Sequence, residues 1–443
     1  MDGYYAFMLV ATAFVLMMTV PALALFYGGM SRSKSVLNMI MMSFIAAPVV
    51  GILYVAVGWS MGFGGDGTFF ANPFELFWLE GVSTDNYIYV MFQMTFAIIT
   101  AALISGAVAD RLKFSAWLVF VPLWAVIVYF PMAHMVFSCT DDSLICGRIG
   151  AQDYAGGTAV HINAGIAALV LVLLLGKRIG WPREQMRPHN LTLTMLGAGM
   201  LWLGWYGFNV GSIVFGTTFD EDPDAFLSQF YSETGRTFAN TTLATFAAIL
   251  GWLLLERLLH GKATSLGAAS GIVAGLVAIT PAAGAVNIGG AVAIGLVAGA
   301  VCAWAVSLKY KLGYDDSLDV VGVHLVGGII GTLLIGVFST SAGAGGVDGL
   351  LYGGGFASLG DQALGVLVAV LYSGILTTVI ALALKYTMGL RLDEEDEVNG
   401  IDLAAHGETA YDLHSGTSGG SSLLAANSAT TSTSTTSTEG VKA

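Results

Sequence analysis

The sequence predicts an all-α membrane protein. Eleven transmembrane helices form two inverted five-helix repeats and a final helix, with the N-terminus outside and the C-terminus inside. Three observations predict it. Of 443 residues, 56% are hydrophobic and only 11% charged, where a soluble domain carries about 25% charged residues. Apolar runs of membrane-spanning length recur along nearly the whole chain. A short motif in the fifth run returns five runs later, in the tenth.

A bilayer core needs roughly 20 apolar residues per helix. Eleven such runs are centred on about 5–27, 37–62, 87–109, 115–137, 154–176, 191–214, 238–258, 266–284, 288–308, 320–338 and 362–386. They are too long for barrel strands, and their Gly and Pro are tolerated where neighbouring helices repair the backbone. The first run has no basic residue before it and is long enough to span, so no cleavable secretory signal is predicted.

Basic residues orient the runs. Arg32 and Lys34 follow the first, Arg111 and Lys113 the third, and Lys177, Arg178, Arg183 and Arg187 the fifth. Arg257 and Lys262 follow the seventh, Lys309 and Lys311 the ninth, and Lys385 and Arg391 the eleventh. The opposite loops hold only Arg148 and Arg236 among many carboxylates, including Asp66, Glu75, Asp85, Asp141, Asp142, Asp153 and Asp220 to Asp224. Every odd run therefore ends on the inner side, and the acidic outer face attracts cations.

Residues 1–388 thus form the transmembrane domain, followed by a polar cytoplasmic segment over 389–414. A Ser/Thr-rich tract over 415–443 lacks the apolar surface to fold alone and is expected to be disordered. A mean hydropathy of +0.76 excludes a soluble enzyme, and a net charge of −13 excludes a nucleic-acid partner. Three cysteines cannot build a disulfide framework. Cys139 and Cys146 share one outer loop on the oxidising side and form a candidate disulfide, while Cys302 is mid-span.

The repeat concentrates the chemistry. DYAGGTAVHINAG (153–165) overlays DSLDVVGVHLVGG (316–328), so that Asp153 meets Asp316, His161 meets His324 and Gly165 meets Gly328. Five spans separate the copies, so the second enters with opposite polarity, and the functional site is expected at the midplane between the halves. His161 and His324 are the histidines deep within spans, each the natural partner of the other; His134, His189, His260, His406 and His414 fall at span ends or in loops. A buried ionisable group in a bilayer is costly and by default functional, against the plainer alternative of two imidazoles fastening helices together. No Cys, Asp or Glu joins them at depth, so neither a metal nor a cofactor is expected.

Asp153, Gly157 and His161 recur at helical spacing, with His161 roughly 12 Å deeper at 1.5 Å per residue. Trp205, Phe208 and Ser212 share a face of the sixth run, and Phe92, Phe96 and Leu103 a face of the third. A single aromatic stripe is ordinarily packing; several converging on a buried histidine pair suggest a narrow apolar pathway. No Lys or Arg lies at mid-depth, which excludes an anion pathway.

The residues PALALFYGG (21–29), ADRLKFSA (109–116), DYAGGTAVHINAG (153–165), GWYGFNVGS (204–212), GVHLVGGIIG (322–331) and HGETAYDL (406–413) together resemble the ammonium transporters, the Amt/Mep/Rh family. The resemblance runs from about residue 5 to 412. It implies a multi-pass protein of the cell membrane that is not an enzyme, a homotrimer with one pore per subunit, and transport of ammonium or ammonia, with methylammonium as analogue. By the same resemblance Phe96, Phe137 and Ser212 form an outer recruitment site, Phe96 and Phe208 a gate, and His161 and His324 a twin-histidine pore bordered by Trp205 and Phe26. Asp153 orients backbone carbonyls near the outer site, and a PII-type regulatory protein is the implied partner of the cytoplasmic segment. Phe137 departs from the family, which places tryptophan there. An ammonium sensor with little flux is the rival reading; a membrane enzyme using the histidines lacks a buried nucleophile or carboxylate.

Overall fold

The computed structural model describes residues 2–184 and 186–411; the tail predicted over 415–443, and residues 412–414 of the segment before it, lie outside them. The described residues are helical and contain no strand, only two isolated bridges. Nine of their helices are long and apolar enough to cross a membrane: α1 (Gly3–Met30), α2 (Val36–Phe63), α3 (Thr84–Val108), α4 (Phe114–Ser138), α5 (Gly157–Leu175), α7 (Pro223–His260), α9 (Ile288–Leu312), α10 (Val321–Phe338) and α11 (Ala357–Thr387). Helices α6 (Leu191–Val210) and α8 (Ser265–Ile279) occupy the two remaining predicted runs.

Local sequence sets the helix starts. Asn190, Asp222, Thr264 and Asn287 each accept a backbone N–H from the first turn of α6, α7, α8 and α9 with a side-chain oxygen, satisfying donors that have no partner within the helix. The Asp222 cap with Pro223 after it explains one difference from the sequence reading. Helix α7 begins far outside the predicted apolar run of 238–258. Its outer extension is held by aromatic packing, with Phe226 stacked on Phe215 at 3.9 Å and edge-on to Tyr4 at 5.9 Å. Helix α1 is broken at Val20 (φ −128°, ψ 103°), because Pro21 has no N–H to continue the ladder.

The two copies of the repeat cross antiparallel. Thr158 at the start of α5 faces Thr332 late in α10, with 3.5 Å between hydroxyl oxygens. Further along, a Cβ at Gly165 would lie 2.5 Å from the backbone nitrogen of Leu325, and one at Gly328 3.2 Å from Cβ of His161. Contacts ascend in one helix as they descend in the other, as an inverted repeat requires. Gly165 and Gly328, the paired glycines of the motif, permit the approach.

At the end where the basic loops gather, buried ion pairs tie together residues that follow α1, α3, α5 and α9. Asp110 pairs with Arg32 (3.1 Å) and Arg178 (3.2 Å), and Arg178 reaches Asp315 at 2.8 Å. Burial works against the ionised form of Asp110, but Arg32 and Arg178 outweigh it and hold the carboxyl below its usual range. Asp315 is likewise held low against burial by Arg178.

The C-terminal segment, including α12 (Glu394–Asn399) and α13 (Ile401–His406), docks on this same end. Glu397 is buried and accepts from the Ile179 N–H (2.7 Å) and the Arg391 guanidinium (2.8 Å). Lys34 donates to the Val398 carbonyl, and His406 lies 3.1 Å from the Asn38 side-chain oxygen.

Candidate functional site

Helices α3 and α6 bring two phenylalanines face to face. The rings of Phe96 and Phe208 stack with centroids 4.0 Å apart and planes 12° from parallel, and both are buried. Phe137, near the outer end of α4, meets Phe96 edge-on at 6.3 Å and is half-buried. Ser212, just past α6, donates its hydroxyl proton to the Phe208 carbonyl at 2.8 Å. Its oxygen keeps lone pairs to accept an N–H from a ligand.

Beyond the stack, the His161 ring lies 6.3 Å from Phe208, packs along Trp205 at 5.5 Å and along His324 at 5.3 Å. The Nδ1 atoms of the two histidines are 3.2 Å apart. One imidazole donates there and the other accepts, so their Nε2 atoms differ in character. The ring that donates through Nδ1 leaves Nε2 as an acceptor, and its partner carries the Nε2–H. His161 Nε2 has no protein partner. The pair lines a narrow cavity with Phe26, Leu103, Val160, Trp205 and Phe208. A second cavity shares Phe26, Val273 and His324 with it and reaches Asp319. The predicted residues Phe26, Phe96, Phe137, His161, Trp205, Phe208 and His324 therefore lie along one column.

Both histidines sit in a π-helical turn at the start of their span, Gly157–Ile162 and Val321–Leu325. Each turn is anchored by the aspartate of its repeat. Asp153 does not continue the helix face that spacing suggested. It precedes the helix and folds over its end, accepting the backbone N–H groups of Gly156, Gly157, Thr158 and Ala159 at 2.7–3.2 Å. What it holds directly is the amide end of the turn, one step removed from the carbonyls. Burial pushes its carboxyl up, against the N–H groups that favour the ionised form. Asp316 does the same for the second copy, accepting from Val320 (3.1 Å) and Val321 (2.7 Å).

Sequence reasoning missed Thr280, whose hydroxyl accepts the Trp205 indole N–H at 2.8 Å and fixes the ring beside His161. No motif marks it; only the crossing of α6 with α8 brings it there. Cys139 and Cys146 are bonded, with Cα atoms 4.9 Å apart, closing the outer hairpin that follows Phe137; Cys302 is free and buried. Among the described residues no three His, Cys, Asp or Glu side chains cluster as a metal site.

The sequence pattern of the Ammonium Transporter Family matches residues 6–411. A protein of Mycobacterium tuberculosis (strain H37Rv) named "Ammonium transporter" is 54% identical, covering 93% of this chain and 90% of its own length. Among solved structures, Saccharomyces cerevisiae Mep2 superposes with a TM-score of 0.80 at 32% identity, covering 93% of this chain and 92% of that one. A structure titled "Sensor Amt Protein" gives a TM-score of 0.81 at 28% identity, covering 91% and 98%.

Proposed function

Because the chain belongs to the ammonium transporter family and is a multi-pass membrane protein, we propose that it recruits ammonium at an outer site, removes a proton and conducts ammonia through a twin-histidine pore, the proton moving separately. The observation that carries this reading is the hydrogen-bonded His161–His324 pair directly beneath the stacked Phe96 and Phe208.

Ammonium and potassium are alike in size and charge, so aperture does not separate them. Ammonium alone has N–H donors and a removable proton. Outside the gate, the faces of Phe96 and Phe137 attract the cation and the Ser212 oxygen accepts an N–H. The stacked rings then penalise any intact ion, since desolvating a charge without a partner costs several kcal/mol or more. Ammonia carries no charge to desolvate. Past the gate, the unlike Nε2 atoms of the pair supply one acceptor and one donor, matching a molecule that both donates and accepts. The second cavity continues from His324 toward Asp319 and the inner end.

We further propose a homotrimer with one such pore per subunit, and a PII-type protein as the regulator that reads the docked C-terminal segment. No enzymatic step is part of the reading. A sensor with little flux is the alternative, favoured by the likeness to the structure titled "Sensor Amt Protein". Reconstitution in liposomes decides: the transport reading expects saturable ammonium-evoked current with none for potassium, and binding without current rejects it.

A further inference from the structure

The outer extension of α7, residues 223–237, lies beyond the apolar run of its span, and the pore described above uses none of it. It carries Gln229, half-buried, whose side-chain amide is engaged at both atoms. Nε2 donates to the Val214 carbonyl at 2.9 Å and to Oε2 of Glu233 at 3.0 Å, while Oε1 accepts the Gly216 N–H at 3.1 Å. Every partner demands the same orientation of the amide, because a carbonyl and a carboxylate only accept and a backbone N–H only donates. Val214 and Gly216 follow Ser212 by two and four residues. We infer that Gln229 is a positioning residue for the outer ammonium site, fixing the chain that leaves α6 and through it the Ser212 hydroxyl; the inference rests on the reading of Ser212 as part of that site.

Ser212 is held from two directions. Towards the membrane, the last carbonyls of α6 fix it: its N–H donates to Asn209 at 3.2 Å and its hydroxyl to Phe208 at 2.8 Å. Away from the membrane the chain continues as a loop, where order is ordinarily lost first. Gln229 pins the loop there, within four residues of the hydroxyl. Gly211, immediately before Ser212, packs against the gate's neighbour: a Cβ at Gly211 would lie 2.7 Å from the ring of Phe92, which meets Phe96 at 5.0 Å. Movement of this turn therefore shifts the Ser212 oxygen relative to the Phe96 face with which it shares a cation. A hydrogen bond from that cation tolerates a shift of only a few tenths of an ångström, roughly the 2.7–3.2 Å range.

The clamp stands on a firm base. Glu233 is buried and lies four residues beyond Gln229, on the same face of α7. Phe226 and Phe230 of the same extension meet Tyr4 of α1 edge-on at 5.9 and 6.0 Å. Phe215, between the two clamped residues, stacks on Phe226 at 3.9 Å. The loop is thus gripped by an apolar contact and a polar one. Stacked rings slide over one another at little cost, whereas three directed hydrogen bonds to one amide set the register. That division assigns the packing to Phe215 and the placement of Ser212 to Gln229.

The test is a concentration series of ammonium-evoked current from the full chain in liposomes, for Gln229→Ala, Ser212→Ala and the two combined. Gln229→Ala is expected to raise the half-maximal concentration roughly three- to tenfold, the effect of one net hydrogen bond, and to keep maximal current and potassium exclusion. In the Ser212→Ala background the same substitution adds nothing, since no hydroxyl is left to position. Gln229→Glu removes both donors and sets a carboxylate against Glu233; adding Glu233→Gln restores a donor between the two positions and is expected to recover part of the affinity. Unchanged affinity in folded Gln229→Ala overturns the inference and leaves the outer site standing, as do effects of Gln229 and Ser212 that simply add. Ser212→Ala with unchanged affinity removes the outer site, and the inference with it. Hydrogen exchange of residues 213–217 gives a measure free of transport: wild type is expected to exchange more slowly than Gln229→Ala. Exchange in wild type at the rate of an unstructured chain overturns the inference whether or not any variant assembles.

Discussion

The carboxylate of Asp402 accepts the backbone N–H groups of Leu37 (3.0 Å) and Asn38 (2.8 Å), so a residue close to the end of the described chain caps the first turn of α2. Losing a cap costs about 1 kcal/mol, or roughly a fivefold change in the docked-to-undocked ratio. Asp402→Ala is expected to loosen the C-terminal segment and lower methylammonium uptake with the membrane-spanning fold intact. Deleting residues 415–443 is expected to leave uptake unchanged, and deleting from Arg391 to impair it. Equal uptake in both truncations refutes a functional role for the docked segment.

His161→Ala and His324→Ala each leave the partner imidazole unpaired in an apolar column. Altered ammonium current or altered exclusion of potassium is the expected result in well-folded protein. Unchanged current and ion preference in both variants removes the pair from the mechanism.

Phe137 offers a cation a ring face but no N–H. Cation–π attraction spans about 0.5–2 kcal/mol with desolvation, and about 1.4 kcal/mol is tenfold in affinity. Phe137→Trp is therefore expected to tighten apparent ammonium affinity by up to roughly tenfold, with maximal flux unchanged or lower because a tighter site releases more slowly. Potassium exclusion is expected to stay with Phe96 and Phe208. A concentration series of evoked current checks this; weaker affinity in a folded Trp variant removes Phe137 from the recruitment site.

Asp110 and Asp315 are held below their usual range, so their ion pairs stabilise the inner end above the ordinary carboxylate value and lose that contribution as pH falls through the lowered one. The thermal midpoint in detergent is expected to hold from neutral pH to about 5 and to drop below about 4. In Arg178→Gln burial is less opposed, so the drop begins at a higher pH. Superimposable pH profiles for the two proteins count against the network.

The spans were legible because length and apolarity alone define them, and their alternation because charge rules it. The histidine pair was legible through the repeat, which sets His324 at the same place in its span as His161. Asp153 stands at helical spacing from His161 yet precedes the helix and caps it, because spacing cannot tell a cap from a first turn. The outer extension of α7 escaped because Asp222 and Pro223 start it in a stretch too polar to suggest a span. His134 lies at a span end, and its carbonyl partners at Gly62 and Gly67, from another helix and loop, have no signature in sequence. The seats of Glu397 and Asp402 likewise depend on backbone amides far away in the chain.

The antiparallel crossing of α5 and α10 brings His161 and His324 together from oppositely directed helices, and a swap of tautomers exchanges the Nε2 that donates with the one that accepts, so the pair itself sets no direction. A centre of that kind cannot act as a valve. Rectification belongs to the unlike ends: aromatic rings and a hydroxyl at Phe96, Phe137 and Ser212 on one side, a carboxylate at Asp319 on the other. Substitutions at the ends should alter inward and outward rates unequally, while substitutions at the pair scale both together.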